Sequence, residues 1–223
     1  MAQVSAVIPA YNEAETIVPT LKALARVEEV EQVIVVDDGS RDGTGWLAEK
    51  LASRVIRLEE NRGKGEAVWL GAREAVYPII VLLDADLGFC VGEIKYLLPP
   101  VVNQEADMTV AVFPKERAGK GFGLAKKVAR TGIQLFTGLD CREPLSGQRV
   151  LRKEIITNMG RPPRGFGLEM ALSLEAARQG LVIKEIDVNM YHRERGRRLA
   201  AMYHRGRQMV AVLRELFREA VVR

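Results

Sequence analysis

Residues 79–86 read Ile-Ile-Val-Leu-Leu-Asp-Ala-Asp, an uninterrupted apolar run that ends in two carboxylates one residue apart. A short apolar run of this kind is typical of a strand that is buried on both faces of a parallel sheet. In open parallel sheets, ligands bind beyond the carboxyl ends of the strands. We therefore expect Asp84 and Asp86 to lie at the exit of a central strand and to face a ligand.

Similar runs recur on both sides of this stretch and alternate with amphipathic segments. Strands are predicted at 4–9, 33–36, 54–58, 79–83 and 108–113. Helices are predicted between them, and a fourth helix over 93–102 is expected to end near Pro99 and Pro100. The apolar residues at helical spacing are Ile17, Leu21, Leu24 and Ala25 in the first helix and Trp46, Leu47 and Leu51 in the second. This βαβαβαβ order predicts a parallel sheet.

Composition limits the classes of function. The 223 residues are 48% hydrophobic, and two cysteines, Cys90 and Cys141, match neither a disulfide framework nor a zinc motif, so a reducing cytoplasm is expected. The start of the chain does not resemble a signal peptide, and no apolar run is long enough to span a membrane. Residues 191–223 hold nine arginines and three glutamates, a net of +6, against +4 for the whole chain. This arginine-rich end of the chain suggests that the protein binds a phosphate-bearing ligand or an anionic surface. The alternative is a helix face that is simply exposed to solvent. Nucleic acid is not expected as a ligand.

The carboxylates of Asp84 and Asp86 repel each other unless a cation lies close to them or one of them is protonated. A site that holds Mg²⁺ or Mn²⁺ against a diphosphate explains the pair, because these ions prefer carboxylate oxygens. For an isolated pair, a turn whose carboxylates cap backbone N–H groups is the alternative explanation. The neighbouring strand ends favour the metal site.

Three further polar segments follow predicted strands: Pro-Ala-Tyr-Asn-Glu at 9–13, Asp-Asp-Gly-Ser at 37–40 and Asn-Arg-Gly-Lys-Gly at 61–65. The first two either form turns that cap the following helices or line a nucleoside pocket, with the base packed against Tyr11. In the third, Lys64 and backbone amides could face an anion together. This third segment lacks the Walker ending and the complete dinucleotide-binding fingerprint.

Taken together, the motifs VIPAYNE, VVDDGSRDGT, NRGKG and LLDADL closely resemble the nucleotide-binding half of family 2 glycosyltransferases with the GT-A fold. The resemblance covers about residues 4–113. It implies that Asp86, together with Asp84, holds a Mg²⁺ or Mn²⁺ ion. The residues assigned to the nucleotide-sugar site are Pro9, Tyr11, Glu13, Asp38, Lys64, Asp84 and Ala85.

Three segments of the second half are similar to the acceptor half of glucosyl-3-phosphoglycerate synthases and their relatives: PLSGQR at 144–149, GFGLE at 165–169 and YHRERGR at 191–197. The chain departs from that pattern at Gln148, where those relatives carry glutamate. The resemblance implies that His192 binds the metal, with a structural histidine as the alternative. Glu169 either holds substrate hydroxyls, acts as a base, or is only a glutamate favoured by the helix dipole. Arg193 either neutralises phosphate or lies in solvent.

We therefore expect an α/β protein with a single GT-A domain: a mostly parallel, Rossmann-like sheet flanked by helices, with a basic amphipathic C-terminal helix. Its parts are a nucleotide-sugar-binding half (1–113), an acceptor half (114–196) and a terminal helix (197–223). The expected activity is metal-dependent transfer of a sugar from a nucleotide diphosphate donor, with a UDP-sugar such as UDP-glucose favoured. The acceptor is a small phosphorylated or hydroxyl compound, and Glu169, Asp86 and Arg193 are the candidate catalytic residues.

Several alternatives stay open from the sequence alone. The acceptor could be a polyprenyl phosphate at the inner face of the membrane, as in the dolichol-phosphate mannosyltransferases that the first half resembles. A nucleotidyltransferase also needs carboxylates beyond parallel strands, and a silent nucleotide-sugar sensor would bind without transfer. The apolar stripe of the terminal helix packs on the domain, on a second subunit in a homodimer or, less readily, on lipid. The stripe consists of Met209, Val212, Leu213, Leu216 and Phe217.

Overall fold

The structure, a computed structural model, describes residues 3–114, 123–160, 162 and 167–191. The strands are β1 (Val4–Ala10), β2 (Val30–Asp37), β3 (Arg54–Arg57), β4 (Ile79–Leu82), β5 (Met108–Val112), β6 (Arg149–Arg152) and β7 (Ile183–Asp187). Within the described ranges these strands form one sheet in the order β3-β2-β1-β4-β6-β5-β7. β6 runs antiparallel to β4 and β5, and the other pairs are parallel.

Helices cover both faces of the sheet. They are α1 (Ile17–Leu24), α2 (Thr44–Ala48), α3 (Lys64–Glu74), a 3-10 helix (Gly88–Tyr96), α4 (Leu98–Val102), α5 (Gly123–Thr137), α6 (Lys153–Thr157) and α7 (Leu168–Arg178). Successive residues of β1 point to opposite faces, so Val4, Ala6 and Ile8 belong to a core under α1 and the 3-10 helix. Val7 belongs to the core under α3, α6 and α7. A strand buried on both faces is typical of a parallel sheet.

The predicted strands 4–9, 33–36, 54–58, 79–83 and 108–113 are confirmed as β1 to β5, with small shifts at their ends. The two later strands, β6 and β7, add residues of the second half to the same sheet. Because both halves of the sequence contribute strands to one sheet, they belong to a single domain. The proposed division into parts at residues 113 and 196 stays a prediction. Within the described residues, no helix is long and apolar enough to cross a membrane.

Of the three apolar residues at helical spacing in the second predicted helix, Trp46 and Leu47 lie in α2, Leu51 lies beyond its end, and none is buried. Their exposed fractions are 69%, 37% and 39%. α2 has only five residues and buries small ones, because a Cβ at Gly45 would already collide with the Asp37 carboxylate. Trp46 instead packs under the Arg57 guanidinium, 3.7 Å from its ring centroid.

The prediction that one helix over 93–102 ends near Pro99 and Pro100 is wrong. The 3-10 helix ends at Tyr96, and both prolines lie in the first turn of α4. Proline is well suited to that position, since the first N–H groups of a helix have no partner within the helix. The two prolines therefore begin a helix where the sequence suggested an end.

Candidate active site

Four of the predicted polar segments meet at one edge of the sheet. β3, β2, β1 and β4 are parallel neighbours, so their carboxyl ends bring together segments 9–13, 37–40, 61–65 and 84–86. β6 runs the other way, and its first residue, Arg149, pairs with Leu82 at the end of β4. The chain that leads into β6 therefore lies beside Asp84, although the two segments are far apart in sequence.

Asp38 is almost fully buried, at 3% exposed, and its carboxylate contacts backbone N–H groups of a neighbouring loop. Its two carboxylate oxygens accept hydrogen bonds from the N–H groups of Arg62 (2.7 Å) and Gly63 (2.8 Å). Burial raises the pKa of Asp38 above its ordinary value, although these two N–H groups oppose the shift. A Cβ at Gly39 would meet the Glu60 carbonyl carbon at 2.7 Å, so glycine lets the two loops touch. Asp38 thus holds the loop that precedes α3.

The exit of β1 is tied to the exit of β2 in the same manner. The Asn12 side-chain oxygen accepts from the Arg41 N–H (2.9 Å), and the Asn12 N–H donates to the Ser40 hydroxyl (2.9 Å). Glu13 accepts a hydrogen bond from the Thr16 hydroxyl (2.7 Å). Tyr11 is 45% exposed beside the half-buried Pro9. An exposed aromatic ring on a fixed turn is a surface on which a nucleobase can stack.

Lys64, the first residue of α3, bridges two carboxylates from different parts of the chain. Its ammonium nitrogen lies 2.8 Å from an oxygen of Asp84 and 2.8 Å from an oxygen of Glu169. Burial alone would lower the pKa of Lys64, but the charges and hydrogen bonds of Asp84 and Glu169 raise it well above its ordinary value. An ammonium has three N–H donors, and two are used here. The third remains for an anion.

Gln148 and Gly147 form the wall next to this ion pair. The Gln148 amide nitrogen donates to the second carboxylate oxygen of Asp84 (2.6 Å). A Cβ at Gly147 would lie 2.5 Å from the Lys64 nitrogen and 3.0 Å from Asp84. Glycine therefore lets the backbone pass directly over the pair. Both oxygens of Asp84 accept hydrogen bonds, one from Lys64 and one from Gln148.

Arg149 anchors this wall, and sequence analysis missed its role. The side chain is fully buried and donates to the carbonyls of Ser146 (2.8 Å) and Pro144 (3.0 Å) and to the Ser173 hydroxyl (2.9 Å). Ser173 in turn donates to the Glu169 carbonyl (3.0 Å). Burial lowers the pKa of Arg149, and these oxygen acceptors stabilise its charge. An arginine directly before the apolar pair Val150-Leu151 was the available sequence signal.

A divalent cation shared with a diphosphate is the ligand that the sequence predicts for Asp86. Mg²⁺ in such sites is held by one or two carboxylates together with substrate phosphate oxygens. Asp86 is half-buried at the exit of β4, and Asp84 is held beside it by Lys64 and Gln148. In the described part of the chain, His, Cys, Asp and Glu side chains form no group of three that could hold a metal.

Three predicted site residues need separate mention. Ala85 is 3% exposed, and its carbonyl accepts a hydrogen bond from the Thr20 hydroxyl (2.9 Å), so its side chain faces the core. His192 and Arg193 lie outside the described residues. The structure thus brings Asp38, Lys64, Asp84, Asp86 and Glu169 to one edge of the sheet. Their roles stay predictions.

The amino-acid sequence matches the model of a protein family described as glycosyl transferase family 2 over residues 5–160. The glycosyltransferase AglJ of Haloferax volcanii is 31% identical over 196 residues, which are 84% of this chain and 63% of that protein. The chain thus spans less than two thirds of that relative's length. The dolichol-phosphate mannosyltransferase of Pyrococcus furiosus is 28% identical over 194 residues, 78% of this chain and 53% of that protein.

Solved structures support the fold. The glucosyl-3-phosphoglycerate synthase of Mycobacterium tuberculosis, crystallised with Mn²⁺, UDP-glucose and phosphoglyceric acid, superposes with a TM-score of 0.78 at 26% identity. The superposition covers 96% of this chain and 79% of that one. The predicted fold class, a mostly parallel sheet flanked by helices as in the GT-A fold, is confirmed.

Proposed function

The chain belongs to glycosyltransferase family 2, and from this premise we propose that it transfers a sugar from UDP-glucose or a closely related UDP-sugar to a small phosphorylated acceptor, with Mn²⁺ or Mg²⁺. The observation that carries the proposal is the convergence of Lys64, Asp84 and Glu169 beside Asp86, at 2.8 Å for each lysine contact. The similar M. tuberculosis enzyme, crystallised with Mn²⁺, UDP-glucose and phosphoglyceric acid, supports the choice of substrates.

The nucleoside part of the donor is assigned to the exits of β1 and β2. Tyr11 and Pro9 offer the base a stacking surface, and Glu13 and Asp38 offer acceptors for its hydrogen-bond donors or for the ribose hydroxyls. Asp38 also fixes the loop that leads to Lys64, through its contacts with the N–H groups of Arg62 and Gly63. The nucleoside and the diphosphate would thus be bound by one connected structure.

The metal is assigned to Asp86 and His192, with Asp84 held nearby by Lys64 and Gln148. A bound divalent cation supplies positive charge against the diphosphate leaving group. The third N–H of Lys64 is assigned to the same diphosphate, and Arg193 to a phosphate of donor or acceptor. These cations would stabilise the charge that develops as the bond from the anomeric carbon to the diphosphate oxygen breaks.

Glu169 is assigned to a hydroxyl group of the substrates. It is 6% exposed, and one of its oxygens lies 2.8 Å from the Lys64 ammonium. A carboxylate oxygen in this position can accept a hydrogen bond from a substrate hydroxyl. A phosphate acceptor needs no base at neutral pH, since its oxygen is already anionic. With a hydroxyl acceptor, Glu169 would take the proton as the new glycosidic bond forms.

A second candidate is transfer to a polyprenyl phosphate at a membrane surface. Two observations favour it: the similarity to the P. furiosus dolichol-phosphate mannosyltransferase, and the net charge of +6 between residues 191 and 223, from nine arginines and three glutamates. A basic, apolar-striped terminal helix would bind an anionic membrane electrostatically. This candidate shares the donor site of the first.

The test is a transfer assay with UDP-glucose and Mn²⁺, offering 3-phosphoglycerate in one reaction and a polyprenyl phosphate in vesicles in another. We expect acceptor-dependent release of UDP and a glucosylated 3-phosphoglycerate detected by mass spectrometry. A product only with the vesicles supports the second candidate. Release of pyrophosphate would identify a nucleotidyltransferase, and donor binding without UDP release under any acceptor would identify a sensor. Pyrophosphate release, or donor binding without UDP release, would overturn the proposal.

A further inference from the structure

Gln148 leaves one buried polar atom without a partner at the edge of the candidate site. The residue is fully buried, and its amide nitrogen donates to Asp84 at 2.6 Å. Its side-chain oxygen has no hydrogen-bond partner within the described residues. A buried acceptor without a donor is unfavourable, and most buried polar groups in folded proteins are satisfied. The unpaired oxygen therefore indicates a missing donor.

The orientation of the Gln148 amide follows from its neighbours. The Gln148 amide nitrogen lies 2.6 Å from one oxygen of Asp84, and the Lys64 ammonium lies 2.8 Å from the other. An ionised carboxylate only accepts hydrogen bonds, so the amide must turn its nitrogen towards Asp84. The opposite orientation would place two acceptors 2.6 Å apart. The oxygen is thus held on the other side of the amide.

The segment that carries Gln148 is also fixed in place. The next residue, Arg149, is buried and binds the carbonyls of Pro144 and Ser146 and the hydroxyl of Ser173. Gly147 lies against Lys64 and Asp84, where even a Cβ would not fit. The position of Gln148 is therefore fixed by its neighbours along the chain.

The charges nearby select the kind of group that the oxygen can accept. The diphosphate of a UDP-sugar carries no proton at neutral pH, so it has no donor for this oxygen and would face the carboxylates of Asp84 and Glu169. A metal ion at this oxygen would lie close to the Lys64 ammonium and be repelled. A neutral hydroxyl can donate one hydrogen bond to the oxygen and is repelled neither by the carboxylates nor by the ammonium. We propose that Gln148 accepts a hydrogen bond from a hydroxyl of the transferred hexose and so determines which sugar is used.

This inference rests on the proposed function, and its test compares UDP, UDP-glucose and the monodeoxy analogues of UDP-glucose. Each is titrated calorimetrically, with saturating Mn²⁺, into the wild-type chain, into Gln148→Met and into the control Gln134→Met on the exposed side of α5. We expect Gln148→Met to weaken UDP-glucose binding about tenfold and to weaken UDP binding by a smaller factor, because UDP lacks the hexose but shares the diphosphate site beside Asp84. The Gln134→Met control should match the wild type.

The analogue series gives the specific readout. In the wild type, one deoxy analogue should bind about tenfold more weakly than UDP-glucose, and in Gln148→Met this difference should vanish. If the affinity of every analogue relative to UDP-glucose is the same in the variant as in the wild type, Gln148 does not bind the sugar. The inference then fails while the proposed function stands. If the wild type binds neither UDP nor UDP-glucose, the proposed function fails with it. Should Gln148→Met not fold, Gln148→Asn gives the same comparison.

Discussion

The two sides of the candidate site are held together by different forces. On the nucleoside side, Asp38 is bound by two backbone N–H groups, and Asn12 joins the neighbouring loops in the same way. On the diphosphate side, Lys64 holds Asp84 and Glu169 through ion pairs between side chains. Backbone contacts define a shape, which persists whether or not a ligand is bound. Charge contacts can be exchanged, and an incoming diphosphate competes for the same ammonium.

This difference predicts how each side responds to substrate. The Lys64 ammonium keeps its charge at neutral pH, since Asp84 and Glu169 raise its pKa far above that range in spite of burial. A diphosphate with its cation can therefore draw on a charge that is already present and oriented. The nucleoside side needs no such exchange. Substitutions on the diphosphate side should affect turnover most, and those on the nucleoside side should affect stability and UDP affinity.

The largest expected effect is at Asp86. Asp86→Asn keeps the shape of the side chain but removes the charge that is assigned to the cation. Loss of several kcal/mol of stabilisation of the leaving group lowers kcat about a thousandfold. The assay is UDP release with UDP-glucose over a range of Mn²⁺ concentrations, with Asp140→Asn at an exposed ion pair as the matched control. An unchanged Mn²⁺ dependence in Asp86→Asn would remove this residue from the metal site.

The next effect concerns the exchangeable charge itself. Lys64→Met leaves Asp84 and Glu169 without their shared cation and removes a donor to the diphosphate. UDP affinity should fall about tenfold. Folding stability should fall by about 1–3 kcal/mol, less than for a fully buried pair because the lysine side chain is 24% exposed. Calorimetry and urea unfolding measure the two losses, with the exposed Lys127→Met as control. Unaltered UDP affinity would mean that Lys64 only holds the carboxylates.

The smallest effect is expected on the nucleoside side. Asp38→Ala leaves the N–H groups of Arg62 and Gly63 without their acceptor, which costs about 2 kcal/mol of folding stability. UDP should bind more weakly even without metal, because the loop before α3 loosens. Calorimetry with EDTA present tests this, and equal affinities for wild type and variant would refute it.

The loss of folding stability expected for Asp38→Ala depends on pH in a definite direction. The folded-state pKa of Asp38 is raised mainly by burial, so the folded chain binds more protons than the unfolded chain between the two pKa values. The stability that Asp38 contributes therefore declines as pH rises through that interval. The difference between wild type and Asp38→Ala in urea unfolding should be larger near about pH 4 than near about pH 7. A difference that grows with pH would contradict the assignment.

The sequence predicted the first half of the site because its information there is local. Each apolar run ends in its own polar segment, so the exits of β1, β2 and β4 follow from periodicity and strand order. The other half depends on contacts between distant residues. Lys64 meets Glu169 across 105 positions, and Gln148 meets Asp84 across 64. These contacts require β6 to enter the sheet antiparallel between β4 and β5, which no local pattern reveals.

Local patterns also misled where packing overrides them. Trp46, Leu47 and Leu51 have helical spacing, yet the close approach of Gly45 to Asp37 leaves room only for small residues below α2. Charged residues usually lie at the surface, but Arg149 is fully buried and holds the segment of Gly147 and Gln148 in place. The sequence therefore predicts which residues lie at the strand exits better than which residues hold them there.

The most direct test of the account is the effect of UDP-glucose on unfolding, measured by urea titration with Mn²⁺ and again with EDTA. The account predicts that UDP-glucose at a hundred times its dissociation constant raises the free energy of unfolding by about 2.7 kcal/mol in Mn²⁺. Most of this gain should disappear with EDTA, because the diphosphate then loses the cation assigned to Asp86. No stabilisation by UDP-glucose or any other UDP-sugar in Mn²⁺ would contradict the account.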